Sequence, residues 1–185
     1  MPTLLASALV AGFFILSGAH GVSATDASAA VNLPSYTVSM TSYNAVASQT
    51  DGDPMTTASG LRSNSDIIAA RSQDLKQELP FGTVIAVEAP DTDTFKCRMN
   101  AVNHLIGYRV IGDTMNARMH NRVDILLDQH DTVKLNGVSM NPSRVLGVCA
   151  AVTVRVIGYM DLSDVPKTQE ELVRMVEGVN KVALK

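Results

Sequence analysis

Two aspartates embedded in apolar sequence are the side chains of this chain most suited to breaking a covalent bond. Tyr108-Arg109-Val110-Ile111-Gly112 leads into Asp113, and eleven residues later Asp124 stands between Val123 and Ile125 in the run Arg122 to Leu127. If that run is a strand, alternation puts Val123 and Ile125 on one face and Arg122, Asp124 and Leu126 on the other. A carboxyl group on an otherwise apolar strand loses hydration, which raises its pKa toward the value a general acid needs near neutral pH. The alternative is a solvated strand aspartate paired with Arg122.

Other polar groups offer less. Arg118, His120 and Arg122 form a basic cluster beside Asp124, which would either hold an anionic group or sit as a solvated loop with ion pairs. Asp51-Gly52-Asp53-Pro54 reads as a turn, because no liganding pattern follows it. Cys97 and Cys149 have no C-x-x-C spacing and no histidine in ligand register, so zinc is not indicated, and with no Gly-rich phosphate loop in the chain neither a metal nor a cofactor is expected. They are either a disulfide or two buried small hydrophobes.

The elements that must carry these residues read mainly as strands. Tyr36 to Tyr43 alternates, with Tyr36, Val38, Met40 and Ser42 on one face, and a polar loop runs from Asn44 to Gly60. Further β-rich runs are Ile67 to Ala70, Thr83 to Ala89, Phe95 to Val102, Tyr108 to Gly112, Arg122 to Leu127 and Val148 to Tyr159. Six or seven short strands separated by turns favour a small barrel. Helix is expected only at the end, where Thr168 and Glu171 have capping-box spacing and Leu172, Val176, Val179 and Ala183 form a stripe widened by Val173, Met175 and Val182.

With 15 Lys and Arg against 18 Asp and Glu, the net charge is -3 and no run of one sign stands out. That argues against nucleic acid as a partner. Aromatic residues are 4% of the chain and Trp is absent, so the core must be aliphatic. Residues 1–24 lack Asp, Glu, Lys and Arg, contain the apolar run Leu4 to Leu16, and end in Val22-Ser23-Ala24. We read them as a cleaved signal peptide, with a short membrane anchor as the alternative, and place the mature protein in the periplasm, cell wall or extracellular space without a stable anchor. Residues 25–35 read as a flexible leader, 36–160 as the barrel domain and 161–185 as a helical extension.

Several motifs occur in a telling order: Thr41-Ser42-Tyr43-Asn44, Pro54 with Thr57-Ala58-Ser59-Gly60, Ile68-Ala69-Ala70, Pro80-Phe81-Gly82-Thr83, Asp113-Thr114 and Arg122-Val123-Asp124-Ile125. Together they resemble the 3D (Asp-Asp-Asp) domain, over about residues 37–158. That family is a six-stranded double-psi β-barrel found in membrane-bound lytic transglycosylase A and in stationary-phase survival muralytic proteins, and is related to endoglucanase V and the expansins. The resemblance implies a peptidoglycan lytic transglycosylase, with glycan strands as partner, Asp124 as acid/base and Asp113 as its supporting aspartate. Thr41, Tyr43, Thr57 and Arg122 would then contact substrate. The first family aspartate is not matched: Arg71 stands in its register, with Asp74 three residues on, and Met115 replaces a customary Gly. In endoglucanase V a base follows the Thr-x-Tyr strand, whereas Thr41-Ser42-Tyr43-Asn44-Ala45 holds no acid. Hydrolysis normally uses two carboxyl groups; transglycosylation needs one. The alternative from another class is an expansin-like wall-binding module without turnover.

Overall fold

The computed structural model describes residues 33–90 and 92–183. The signal-peptide segment and most of the leader lie outside them. Six strands close into a barrel: β1 (Ser35–Tyr43), β2 (Ile68–Arg71), β3 (Thr83–Glu88), β4 (Tyr108–Thr114), β5 (Arg122–Leu126) and, after a small hairpin, β8 (Cys149–Tyr159). Around the ring the order is β1-β5-β2-β4-β3-β8, and β8 pairs back onto β1. β1 with β5 and β2 with β4 run parallel; the other four pairings are antiparallel. Closure leaves no open strand edge in the barrel. The mainly β, six-stranded barrel with a C-terminal helix expected from the sequence is the fold observed.

Alternation fills the interior. Val38, Met40, Ala69, Ile85, Ile111, Val123, Ile125, Val152, Val154 and Val156 are all buried in one cluster, while the residues between them face outward. At roughly 25 cal/mol per Å² of apolar surface, these aliphatic side chains compensate for the scarcity of aromatics.

One strand expectation is overturned. Phe95 to Val102 is not a strand: Cys97 makes a lone bridge to Gly147, and Met99–Val102 forms the one-turn helix α1. The neighbouring backbone offers partners only to Lys96 and Arg98, through Val148 and Leu146. Met99 and Val102, three apart, bury the inner side of the turn, and Phe95 is 90% exposed. A hairpin not expected from the strand pattern, β6 (Val133–Leu135) and β7 (Val138–Met140), turns on Asn136 and Gly137, both at positive φ (51° and 81°), the conformation that an Asn-Gly turn favours. Asn141 then caps α2 (Pro142–Leu146) by accepting from the Ser143 N–H.

Cys97 and Cys149 form a disulfide that ties this end of the molecule to the start of β8. Closing a 52-residue loop stabilises the fold by about 4 kcal/mol in the chain-entropy account. The helix α3 (Gln169–Ala183) starts where expected: the Glu171 carboxylate accepts from the Thr168 N–H, and Thr168 Oγ1 accepts from the Glu171 N–H. Leu172 and Val176 pack on Ile67, Val84 and Val110 outside the barrel. Met175, expected to widen the apolar stripe, is exposed; Val179, Val182 and Ala183 lie beyond the described side chains. Among the described residues, no helix is long and apolar enough to cross a membrane.

Candidate functional site

Both aspartates reach one groove, by different routes. In β5 the expected alternation holds: Val123 and Ile125 enter the core, and Asp124 faces outward with Leu126 buried in a second cluster beside Tyr43, Ile68, Ala70 and Met115. Asp113 needs a defect. In a regular strand it would share the inward face of Ile111. The β2–β4 register instead shifts so that Ala69 opposes Ile111 and Ala70 opposes Asp113, leaving Gly112 as the extra residue. Such a bulge re-aims the following side chain. A Cβ on Gly112 would stand 2.9 Å from the Ile68 Cδ1 and 3.3 Å from the Leu61 Cδ1, so the tight approach suits glycine.

Ala70 pairs with Asp113 on one side and Asp124 on the other. The two aspartates therefore sit one strand apart on either side of β2, about 9–10 Å between backbones, with a methyl group between them. Around them opens a groove of about 840 Å³, lined by Tyr43, Thr57, Asp113, Asp124 and residues of the 48–58 loop and the 114–119 turn.

The two carboxyl groups are held differently. Asp124 Oδ1 accepts from the Thr41 hydroxyl at 2.8 Å. Burial pushes its pKa up to about 6; the Thr41 hydrogen bond and the charge of Arg122 pull the other way, and the charge of Asp113 adds to the rise. Asp113 accepts three hydrogen bonds, from the Tyr43 hydroxyl at 2.8 Å, the Ala58 N–H at 2.9 Å and the Thr114 N–H at 2.8 Å. The phenol of Tyr43 is pushed far above its ordinary value, first by burial and then by the charge of Asp113, so it remains a donor.

The remaining expected residues take distinct places. Thr57 is buried in the groove wall, its hydroxyl donating to the Leu61 carbonyl at 3.1 Å. Thr41 lies behind Asp124. Arg122 is outside the groove lining and makes no salt bridge among the described residues; its guanidinium rests 3.7 Å from the Met119 sulfur. The paired Asp124–Arg122 alternative therefore does not hold. His120 turns to Asp74 at 4.0 Å, and only Arg118 of the basic cluster lines the groove. Asp53 accepts from the Met55 N–H at 2.9 Å, as a turn residue does.

Neither candidate for a first aspartate position faces the groove. Arg71 is buried in the other direction, donating to the Leu79 carbonyl at 2.9 Å with its guanidinium 5.1 Å from the Phe81 ring centre. Asp74 is exposed and accepts from the Asn121 N–H at 2.8 Å. The groove position between the other two aspartates belongs to Ala70. Ala58 contributes through its backbone alone, which no residue type announces, whereas Gly112 before Asp113 was a legible bulge signal.

No family model matches this chain, and no curated protein sequence matches it. What the groove can do has to be argued from its own residues.

Proposed function

We propose that the protein is an exported lytic transglycosylase of the 3D-domain type, acting on the glycan of peptidoglycan with Asp124 as its single acid/base. The observation that carries this reading is the recessed Asp124 carboxyl, raised to about 6 by burial and bonded to Thr41 on the floor of an open groove. Protonated Asp124 donates to the glycosidic oxygen as the C1–O bond breaks. The resulting carboxylate then takes the proton of the same sugar's 6-hydroxyl, whose oxygen bonds to C1 and closes an anhydro ring. The acid is regenerated and no water is consumed. Asp113, committed as an acceptor to three donors, serves as a positioning and electrostatic group.

Export agrees with the Cys97–Cys149 disulfide, a bond that persists in oxidising compartments. Ala70 at the place between the aspartates favours a second reading, the expansin-like glycan-binding module without turnover, since it leaves the groove one carboxyl short of the family pattern. Mass analysis of peptidoglycan digested by the purified protein separates the two. Anhydro-sugar ends support the transglycosylase, reducing ends would replace it with a hydrolase, and cosedimentation with sacculi without products would leave the binding module.

A further inference from the structure

Two arginines of the sequence cluster near the acid/base, Arg118 and Arg122, form no salt bridge among the described residues, where the salt bridges are His120–Asp74, Arg155–Glu88 and Arg174–Glu170. Arg122 Nε is buried without an acceptor, and its Nη1 meets only the Met119 sulfur. Arg118 is exposed on the groove itself. Its backbone is fixed by a turn in which the Asn116 side chain accepts from the Arg118 N–H at 3.1 Å and the Asn116 carbonyl from the Met119 N–H at 2.9 Å.

None of the groove's carboxyl groups forms a salt bridge with Arg118. Asp113 holds three donors, Asp124 holds Thr41, and Asp53 holds the Met55 N–H. Asp51 and Asp53 enter the groove from the 48–58 loop, Arg118 from the 114–119 turn. With Asp113 and Asp124 these acids make most of the groove acidic, and Arg118 is its one basic lining residue among the described residues, so a ligand anion has one favourable place, beside Arg118. A guanidinium suits a carboxylate, which it can grip with two parallel N–H donors.

We infer that Arg118 anchors a carboxylate carried by the glycan substrate. The inference rests on the glycan reading above and adds a substrate class: strands bearing free carboxylates, in preference to neutral polymers of the same sugars. The carboxylate comes either from the lactyl ether of the sugar or from an attached stem peptide.

Binding is the measurement, made on the Asp124→Asn protein so that no strand is cut. Three probes are compared by calorimetry: denuded strands with free lactyl carboxylates, the same strands with those carboxylates methylamidated, and strands retaining their stem peptides. Methylamidation should weaken binding about tenfold, the size of one charge-assisted contact. Added Arg118→Gln should abolish that discrimination, and Arg118→Lys should restore part of it. Stem-bearing strands that bind more tightly than denuded ones assign the anchor to a peptide carboxylate; binding no tighter than that of free denuded strands assigns it to the sugar's own.

Equal binding of amidated and free denuded strands, with stem-bearing strands no tighter than either, overturns the inference, as does a carboxylate preference that survives Arg118→Gln. Because Arg118 is exposed, circular dichroism of that variant should match the parent, which removes misfolding as a cause. Cleavage by the unsubstituted protein is scored separately. Carboxylate preference without cleavage keeps the anchor and removes the transglycosylase, while cleavage without preference does the reverse.

Discussion

The end of β4 and the middle of β5 each present an aspartate to the same groove, and they are built on opposite plans. β4 breaks its alternation at Gly112 to turn Asp113 outward, then surrounds the carboxylate with three donors. β5 keeps strict alternation, buries Val123 and Ile125 on either side, and gives Asp124 a single hydroxyl partner. Identical side chains on either side of one strand acquire different properties because one is solvated by the protein's own donors and the other is mainly desolvated. One site thereby holds both a buried carboxyl suited to giving a proton and a carboxylate fixed as an acceptor.

The largest break in this comparison comes from removing the proton. Asp124→Asn keeps the shape and the acceptor for Thr41, yet should lower the formation of anhydro ends by about 10²- to 10⁴-fold, the range of general acid/base contributions. In the unsubstituted protein the rate should fall as pH rises through about 6, where Asp124 loses its proton. A rate that is indifferent to the substitution, or that rises through this range, would remove Asp124 from the acid role.

The same substitution should have the opposite effect on stability. The folded pKa of Asp124 lies near 6, above an unfolded value near 4, so the native state binds more protons and its stability falls as pH rises from about 4 to 6. About two pKa units correspond to at most about 3 kcal/mol. Thermal melts of Asp124→Asn and the parent should therefore diverge in favour of the variant between pH 4 and 7. Parallel curves would mean that the carboxyl is not desolvated.

Asp113→Asn tests the other plan. An amide oxygen can still accept from Ala58 and Thr114, and its NH2 can donate to the Tyr43 oxygen, so the fold should survive. Removing the Asp113 charge removes one cause of the raised Asp124 pKa. The alkaline limb of the rate profile should move to lower pH, with a smaller loss of rate than Asp124→Asn produces. An equal loss would make the two aspartates a joint catalytic pair.

How much of this was legible depends on which rule each segment obeys. β5 follows simple alternation, so the faces of Val123, Asp124 and Ile125 could be read directly, and the capping box of Thr168 and Glu171 was equally local. The barrel followed from the number and spacing of strands. Phe95 to Met99 also alternates, yet folds as a bridge and a helical turn because only residues 96–98 find backbone partners; that is a tertiary fact. The Asn136-Gly137 hairpin carried its own signal. The site was half legible. Its carboxyl groups announced themselves, but the place of Ala70 between them depends on the β2–β4 register shift, and the support from Ala58 is a backbone contact.

The smallest effect sharpens the comparison most finely. Tyr43→Phe preserves the buried ring, which is 9% exposed in the cluster with Ile68, Ala70, Met115 and Leu126, and removes only the hydroxyl that donates to Asp113. Asp113 would retain the Ala58 and Thr114 N–H donors, and its Oδ2 faces a groove that water can enter. One such bond contributes about 1 kcal/mol, and somewhat more when it meets a charged acceptor. Stability should drop by about that amount, and the rate should fall less than tenfold, with the alkaline limb near pH 6 unmoved because Asp124 keeps its burial and its Thr41 bond. Chemical denaturation with a parallel pH–rate profile measures both. If Tyr43→Phe instead cost as much rate as Asp124→Asn, the phenol would be a proton carrier in its own right, and Asp113 would be the group that activates it rather than a bystander to Asp124.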